Sequence, residues 1–199
     1  MSNAPGHVRS FIALNLPPDV LARLAEFQRE FRAARPLEGI RWTQPEQVHL
    51  TLKFLGHVAT DELAELEDAL GRGCRGIGPF AVCARGAGCF PDLRRPRIVW
   101  VGFGGALDPL RRLQAAIARE TERWGERDEH EFHPHLTLGR VKKPDRELAS
   151  ALARHLGQTG SREFGSWLVE QVDLMQSDLS SAGPRYTRLA SVRLAAESA

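Results

Sequence analysis

The residues of this chain best suited to chemistry occur in two identical copies. The tetrapeptide His-Leu-Thr-Leu begins at His49 and again at His135, 86 positions later. In a β-strand, side chains two positions apart point to the same side, so His49 shares a face with Thr51, and His135 with Thr137. The leucines take the opposite face and can enter a core. If the two strands lie together, two imidazoles and two hydroxyls converge on one cleft.

Two imidazoles at one cleft suit the hydrolysis of a phosphodiester. The ordinary imidazole pKa is about 6.5, so one ring can accept a proton from attacking water while a protonated ring supplies the leaving oxygen. In-line displacement at phosphorus places nucleophile and leaving group on opposite sides, which histidines on opposing strands satisfy. The hydroxyls of Thr51 and Thr137 would donate to the nonbridging oxygens. We expect an RNA 2′,3′-cyclic phosphate as substrate, because its departing ribose oxygen needs a proton.

Three further side chains near the motifs are candidate substrate contacts. Lys53 lies on the His49 face of an ideal strand, where it would either touch phosphate or form a solvated strand end. Arg140 falls on the face opposite His135 by strict alternation, unless the strand ends or bulges first. Phe90 could stack a nucleobase, although core packing is the more ordinary role of a phenylalanine.

A metal site is the main competing interpretation of the second motif. His133 and His135 form an HxH pair with His130 nearby, but Pro134 and the lack of an obvious carboxylate partner favour a loop. The chain also contains no P-loop and no carboxylate cluster of the kind that holds two metals. We therefore expect no metal and no cofactor.

Composition limits the class of protein. The chain has 199 residues, 42% of them hydrophobic, which is enough for a core in one domain or two small lobes. A net charge of only +2 does not predict a strong nonspecific nucleic-acid binder. The sequence shows no run of 18 apolar residues and no secretory signal core. Its three cysteines lack CxxC spacing, so we expect a reduced, cytoplasmic protein without a membrane partner.

The predicted elements repeat in order: each half contains a helix, a HLTL strand, a second helix and two strands. This order predicts an α+β fold with two pseudo-symmetric lobes, mostly antiparallel sheets facing a central cleft, and helices outside. Besides the HLTL segments, strands are predicted at 9–16, 40–43, 80–85, 98–103, 166–177 and 186–194, and helices beginning at Asp19, at Thr60 or Asp61, at Pro109 and at Asp145.

Several longer segments carry a family resemblance. They are FIALNLP near the start, RWTQPEQVHLTLKFLG, FPDLRRPRIVWVG, FHPHLTLGRV and the late LMQSDLSSAGPRYTRL. Over nearly its whole length the chain resembles the LigT-like branch of the two-histidine phosphoesterases, the RNA 2′,3′-cyclic phosphodiesterases once called 2′–5′ RNA ligases. The resemblance implies a single bilobal domain over residues 1–199 and metal-independent opening of a cyclic phosphate to a 2′-phosphate.

The resemblance also implies roles for individual residues. His49 would be the proton donor to the 3′ oxygen, and His135 the base that activates water. Thr51 and Thr137 match the phosphate-binding threonines, and Arg140 matches a family arginine. We expect the enzyme to be a monomer whose partners are RNA ends with a 2′,3′-cyclic phosphate. We also expect weak reverse 2′–5′ joining of RNA ends. Another small cyclic or oligonucleotide substrate, noncatalytic RNA binding, and binding of a nucleotide such as ATP stay open.

Overall fold

A mostly antiparallel sheet organises the chain. The structure is a computed structural model that describes residues 6–33, 39–125, 131–180 and 183–196. These residues contain nine strands in one sheet and four α-helices, which confirms the α+β class. The strands are β1 (His7–Asn15), β2 (Ile40–Trp42), β3 (His49–Ala59), β4 (Phe80–Phe90), β5 (Ile98–Gly105), β6 (His135–Val141), β7 (Glu163–Val169), β8 (Gln171–Ser180) and β9 (Gly183–Arg193), and the helices are α1 (Pro18–Arg32), α2 (Leu63–Cys74), α3 (Leu107–Glu120) and α4 (Arg146–Gly157).

The two HLTL strands lie side by side at the centre of the sheet. The strand order is β7-β4-β5-β6-β3-β1-β8-β9, with β2 pairing to β6 beside this path. Leu50 of β3 pairs with Leu136 of β6, and this contact joins a half-sheet of five strands, which includes β2, to a half-sheet of four. Each half-sheet mixes strands from the two halves of the sequence. Strands β4 and β5, from the first half, lie with β6, whereas β8, from the second half, pairs with β1. Each half-sheet therefore needs strands from both halves of the chain.

The core lies on the leucine face of the HLTL strands. All four motif leucines are buried there, as strand alternation predicts. The helices bury apolar stripes at helical spacing against this face. In α1 and α3 these buried residues are Val20, Leu24, Phe27, Phe31, Leu110, Leu113 and Ile117. The histidine face of the central strands is left for the site.

Some element boundaries differ from the predictions. The strand predicted at 166–177 is two strands, β7 and β8, separated by Glu170, and they pair with opposite half-sheets. Strand β4 continues to Phe90, beyond its predicted end. The predicted start of α4 is confirmed, because Asp145 caps it by accepting a 2.8 Å hydrogen bond from the Leu148 N–H. Within the described ranges, no helix is both long and apolar enough to cross a membrane.

Candidate active site

Each HLTL strand bulges at its second leucine. The pairing of β3 with β1 skips Leu52, and the pairing of β6 with β5 skips Leu138. A bulge inserts one unpaired residue and shifts the alternation of side chains beyond it by one position. The faces assigned by strict alternation therefore hold up to the bulge and are reversed after it, until β3 bulges a second time at Leu55.

Lys53 is turned away from the site by the first bulge. It is only 7% exposed, and its Nζ donates hydrogen bonds to the Thr121 carbonyl at 2.7 Å and the Thr121 hydroxyl at 3.2 Å. The prediction that Lys53 shares the His49 face is wrong, because the bulge at Leu52 rotates it to the core side. Lys53 links β3 to the end of α3.

Arg140 is turned toward the site by the second bulge, so the exception to strict alternation applies. Its side chain is exposed. Its charge acts on two rings of the histidine face: the pKa of His135 is lowered mainly by burial and further by Arg140, whereas the pKa of Tyr186 is raised by burial and Arg140 opposes that rise. The guanidinium therefore lies near the catalytic candidates.

The central register brings the four predicted motif side chains together. The first leucines of the two copies pair, and continuing this antiparallel register by one residue each way sets His49 opposite Thr137 and His135 opposite Thr51. The two histidines are then diagonal neighbours, which lie about 7–8 Å apart in a regular antiparallel pair, with their Cβ atoms somewhat closer. Both imidazoles and both hydroxyls therefore lie on one part of the histidine face.

Both imidazoles are held in the same way by the backbone two residues before them. The Nδ1 of His49 lies 2.7 Å from the Gln47 carbonyl oxygen, and the Nδ1 of His135 lies 2.7 Å from the His133 carbonyl oxygen. Because a carbonyl only accepts, Nδ1 carries the proton in each ring and Nε2 is left for acid–base chemistry. Burial lowers the pKa of both histidines, while these backbone hydrogen bonds raise it.

The two rings have different aromatic neighbours. His49 stacks on Phe11, with ring centroids 4.8 Å apart, and meets the edge of Tyr186 at 5.2 Å. His135 meets the edge of Phe90 at 5.0 Å, so Phe90 lies at the site. Sequence reasoning missed Phe11 and Tyr186 as site residues. Tyr186 belongs to the late segment that carried the family resemblance, which was the available signal.

A polar network beside His49 was also missed. Asn15 pairs with His49 across β1 and β3, and its Nδ2 donates a 2.6 Å hydrogen bond to Asp173. Asp173 is 1% exposed, also accepts from Gln171 at 3.2 Å, and lies 4.0 Å from the Arg188 guanidinium. No local sequence pattern predicts this network, because its members come from both ends of the chain.

The metal alternative has no support in the residues that the structure covers. Among them, no group of three or more His, Cys, Asp or Glu side chains is placed to hold a metal ion. His130, one member of the suggested triad, lies outside the described residues. The second member, His133, supplies the carbonyl that orients His135.

Comparison with known proteins identifies the family. The profile of the LigT-like phosphoesterases matches residues 14–100 and 104–186, and each stretch contains one HLTL segment. An RNA 2′,3′-cyclic phosphodiesterase of Methanothermobacter thermautotrophicus is 35% identical over 94% of this chain and 99% of its own length. The chain belongs to the LigT-like phosphoesterase family.

Solved structures show the same fold. The TT0787 protein of Thermus thermophilus is 32% identical, with a TM-score of 0.72 over 96% of this chain and 100% of its own. Escherichia coli LigT complexed with 3′-AMP is 26% identical, with a TM-score of 0.74 over 94% of this chain and 98% of its own. These likenesses agree with the α+β fold and the family assignment.

Proposed function

We propose that this chain hydrolyses 2′,3′-cyclic phosphates at RNA ends to 2′-phosphates, by acid–base catalysis between His49 and His135 without a metal. The observation that carries the proposal is the pair of imidazoles on one sheet face, each with Nδ1 bound to a carbonyl and Nε2 left for catalysis. Family membership and relatives named RNA 2′,3′-cyclic phosphodiesterase support this class of hydrolase.

The direction of the proton transfers is the one that the family resemblance implies. The Nε2 of His135 takes a proton from water, whose oxygen forms a bond to phosphorus. The bond from phosphorus to the 3′ oxygen breaks, and the protonated Nε2 of His49 gives that oxygen its proton. Burial lowers the pKa of His135 most, and the positive charge of Arg140 lowers it further, which supports the assignment of His135 as the base.

The remaining cleft residues would bind the substrate. The Thr51 and Thr137 hydroxyls donate to the nonbridging oxygens, and Arg140 offsets the negative charge that grows in the transition state. Phe90, beside His135, stacks the terminal nucleobase. When a 5′-hydroxyl RNA end replaces water as the nucleophile, its oxygen forms the bond to phosphorus, the bond to the 3′ oxygen breaks, and the same proton transfers give weak 2′–5′ joining.

The direct test uses a nucleoside 2′,3′-cyclic phosphate with the purified protein in excess EDTA. We expect turnover with a 2′-phosphate as the product, identified by chromatography against 2′- and 3′-phosphate standards. A 3′-phosphate product or loss of turnover with chelator would reject the proposed reaction. A panel of other cyclic phosphates and short oligonucleotides measures how far the substrate range extends.

A further inference from the structure

The internal repeat includes a glutamine in addition to HLTL. Gln28 of α1 and Gln114 of α3 are 86 residues apart, the same offset that separates His49 from His135. The buried apolar positions of the two helices match at this offset too, so the helices and their glutamines belong to the repeat. The matched buried pairs are Leu24 with Leu110, Phe27 with Leu113, and Phe31 with Ile117.

Gln28 is bound to the bulge of β6. Its Nε2 donates hydrogen bonds to the Leu138 carbonyl at 2.9 Å and to the Thr43 carbonyl at 2.8 Å. Leu138 is the residue that the pairing with β5 skips. Because both neighbours are carbonyls, the orientation of the amide is determined by its partners.

Gln114 makes the reciprocal contact in the other half. Its Nε2 donates a 3.3 Å hydrogen bond to the carbonyl of Leu52, the bulged residue of β3. Helix α1 comes before β3 in the chain yet binds β6, and α3 comes before β6 yet binds β3. Each glutamine therefore reaches from its own half to the same carbonyl of the opposite motif.

The contribution of the Gln28 amide to the stability of the fold does not explain why this residue is a glutamine. The Gln28 side chain is 1% exposed, and its Oε1 has no hydrogen-bond partner among the residues described. A buried acceptor without a partner is destabilising relative to an apolar side chain of the same shape. What the amide does supply is a donor to the bulge that turns Arg140 to the histidine face.

We propose that Gln28 and Gln114 are positioning residues that stabilise the two bulges by hydrogen bonds to the bulged leucines, and that Gln28 thereby places Arg140 beside His135. The consequence for catalysis rests on the function proposed above. The placement itself concerns the backbone and is testable without turnover.

The kinetic test is a double-mutant cycle with a matched control. Gln28→Met removes the donor at similar volume. Since Leu138 still accepts a 2.8 Å hydrogen bond from Thr43, we expect kcat to fall by about tenfold rather than completely. Adding Gln28→Met to Arg140→Ala should cost less than about twofold more, because both act through the same guanidinium. Gln114→Met should lower kcat several-fold. Its effect on kcat should multiply with that of Arg140→Ala, because Gln114 binds β3 whereas Arg140 lies on β6.

The second test titrates His135 by NMR. Arg140 lowers the pKa of this ring, as does His133, which neither substitution changes. If Gln28→Met lets Arg140 turn away, the His135 pKa should rise, whereas in Gln114→Met it should stay at the wild-type value. Gln28→Asn keeps the amide but is one methylene too short to reach the carbonyl, and it provides the same readout if Gln28→Met does not fold.

A His135 pKa that is unchanged in both Gln28 variants would overturn the proposal. So would a double-mutant cycle in which the effects of Gln28→Met and Arg140→Ala on kcat multiply fully. A wild-type protein without cyclic phosphodiesterase activity would instead reject the proposed function and leave the titration result as the test of the positioning role.

Discussion

The two halves of the site share one backbone design and differ in their side chains. In both, an imidazole Nδ1 binds the carbonyl two residues before it, the second leucine is bulged, and a glutamine from the opposite half binds the bulge. The residue that each bulge turns to the histidine face is Phe54 in one half and Arg140 in the other. A duplicated scaffold thus supplies matched geometry, while single positions make the halves chemically unequal.

The inequality suits an asymmetric reaction. His49 lies between Phe11 and Tyr186, close to the network around Asp173, whereas His135 lies near the positive charge of Arg140. One ring must arrive protonated and the other neutral. The different neighbours allow two identical motifs to take these opposite roles.

Removing either imidazole should have the largest effect. We expect His49→Ala and His135→Ala each to lower kcat by about 10²–10⁴-fold, because each removes one partner of the acid–base pair. Steady-state kinetics on a nucleoside 2′,3′-cyclic phosphate measures this, and His57→Ala, an exposed histidine on the same strand as His49, serves as control. A near-normal rate in either motif variant would contradict the pairing of the two halves.

The second-largest effect on kcat/KM should come from Arg140, and its counterpart in the other half, Phe54, should contribute much less. Arg140→Ala removes a charged donor to the phosphate and should lower kcat/KM by about 10- to 100-fold. Phe54→Ala, the matched change in the other half, should alter the same constant by less than about threefold for a mononucleotide substrate. Equal losses in the two variants would show that the charge at position 140 is not what separates the halves.

The pH dependence should reveal both perturbed rings. Burial disfavours the charged imidazole, so the free-enzyme pKa values of His49 and His135 lie below the ordinary value of about 6.5. A bell-shaped profile of kcat/KM with its maximum below about pH 6.5 is therefore expected. In Arg140→Ala one limb should move to higher pH, since a positive charge near His135 is gone. A maximum well above neutral pH would contradict this.

The smallest expected effect concerns the Tyr186 edge on His49. Tyr186→Ala should admit water to the ring and raise the His49 pKa toward its ordinary value, with the His135 pKa unchanged. Tyr186→Phe keeps the aromatic edge and should leave both values near wild type. NMR titration of the two imidazoles measures this. A His49 pKa that is the same in both variants would show that other neighbours desolvate the ring.

Much of the fold could be predicted because it follows short periods. Alternation along each HLTL segment placed four leucines in the core, and apolar residues at helical spacing located α1 and α3. The helix start at Asp145 follows from a single capping side chain. These signals lie within a few residues of the elements that they describe.

The prediction for Lys53 was wrong because alternation beyond Leu52 depends on a partner strand. The bulge arises in the pairing of β3 with β1, whose residues lie far earlier in the chain. The long strand predicted at 166–177 was wrong for a similar reason. Its two parts pair with opposite half-sheets, and nothing in the local pattern marks the break at Glu170.

The sequence by itself determined the chemical groups: two histidines and two threonines on one strand face each, with leucines behind them. Only the tertiary structure decided what stands around those groups, including the bulges, the crossed glutamines, the aromatic neighbours and the buried Asp173. The physical reason is range. Alternation of side chains is a property of a few consecutive residues, whereas pairing register and side-chain contacts join residues as distant as Asn15 and Asp173, which are 158 positions apart.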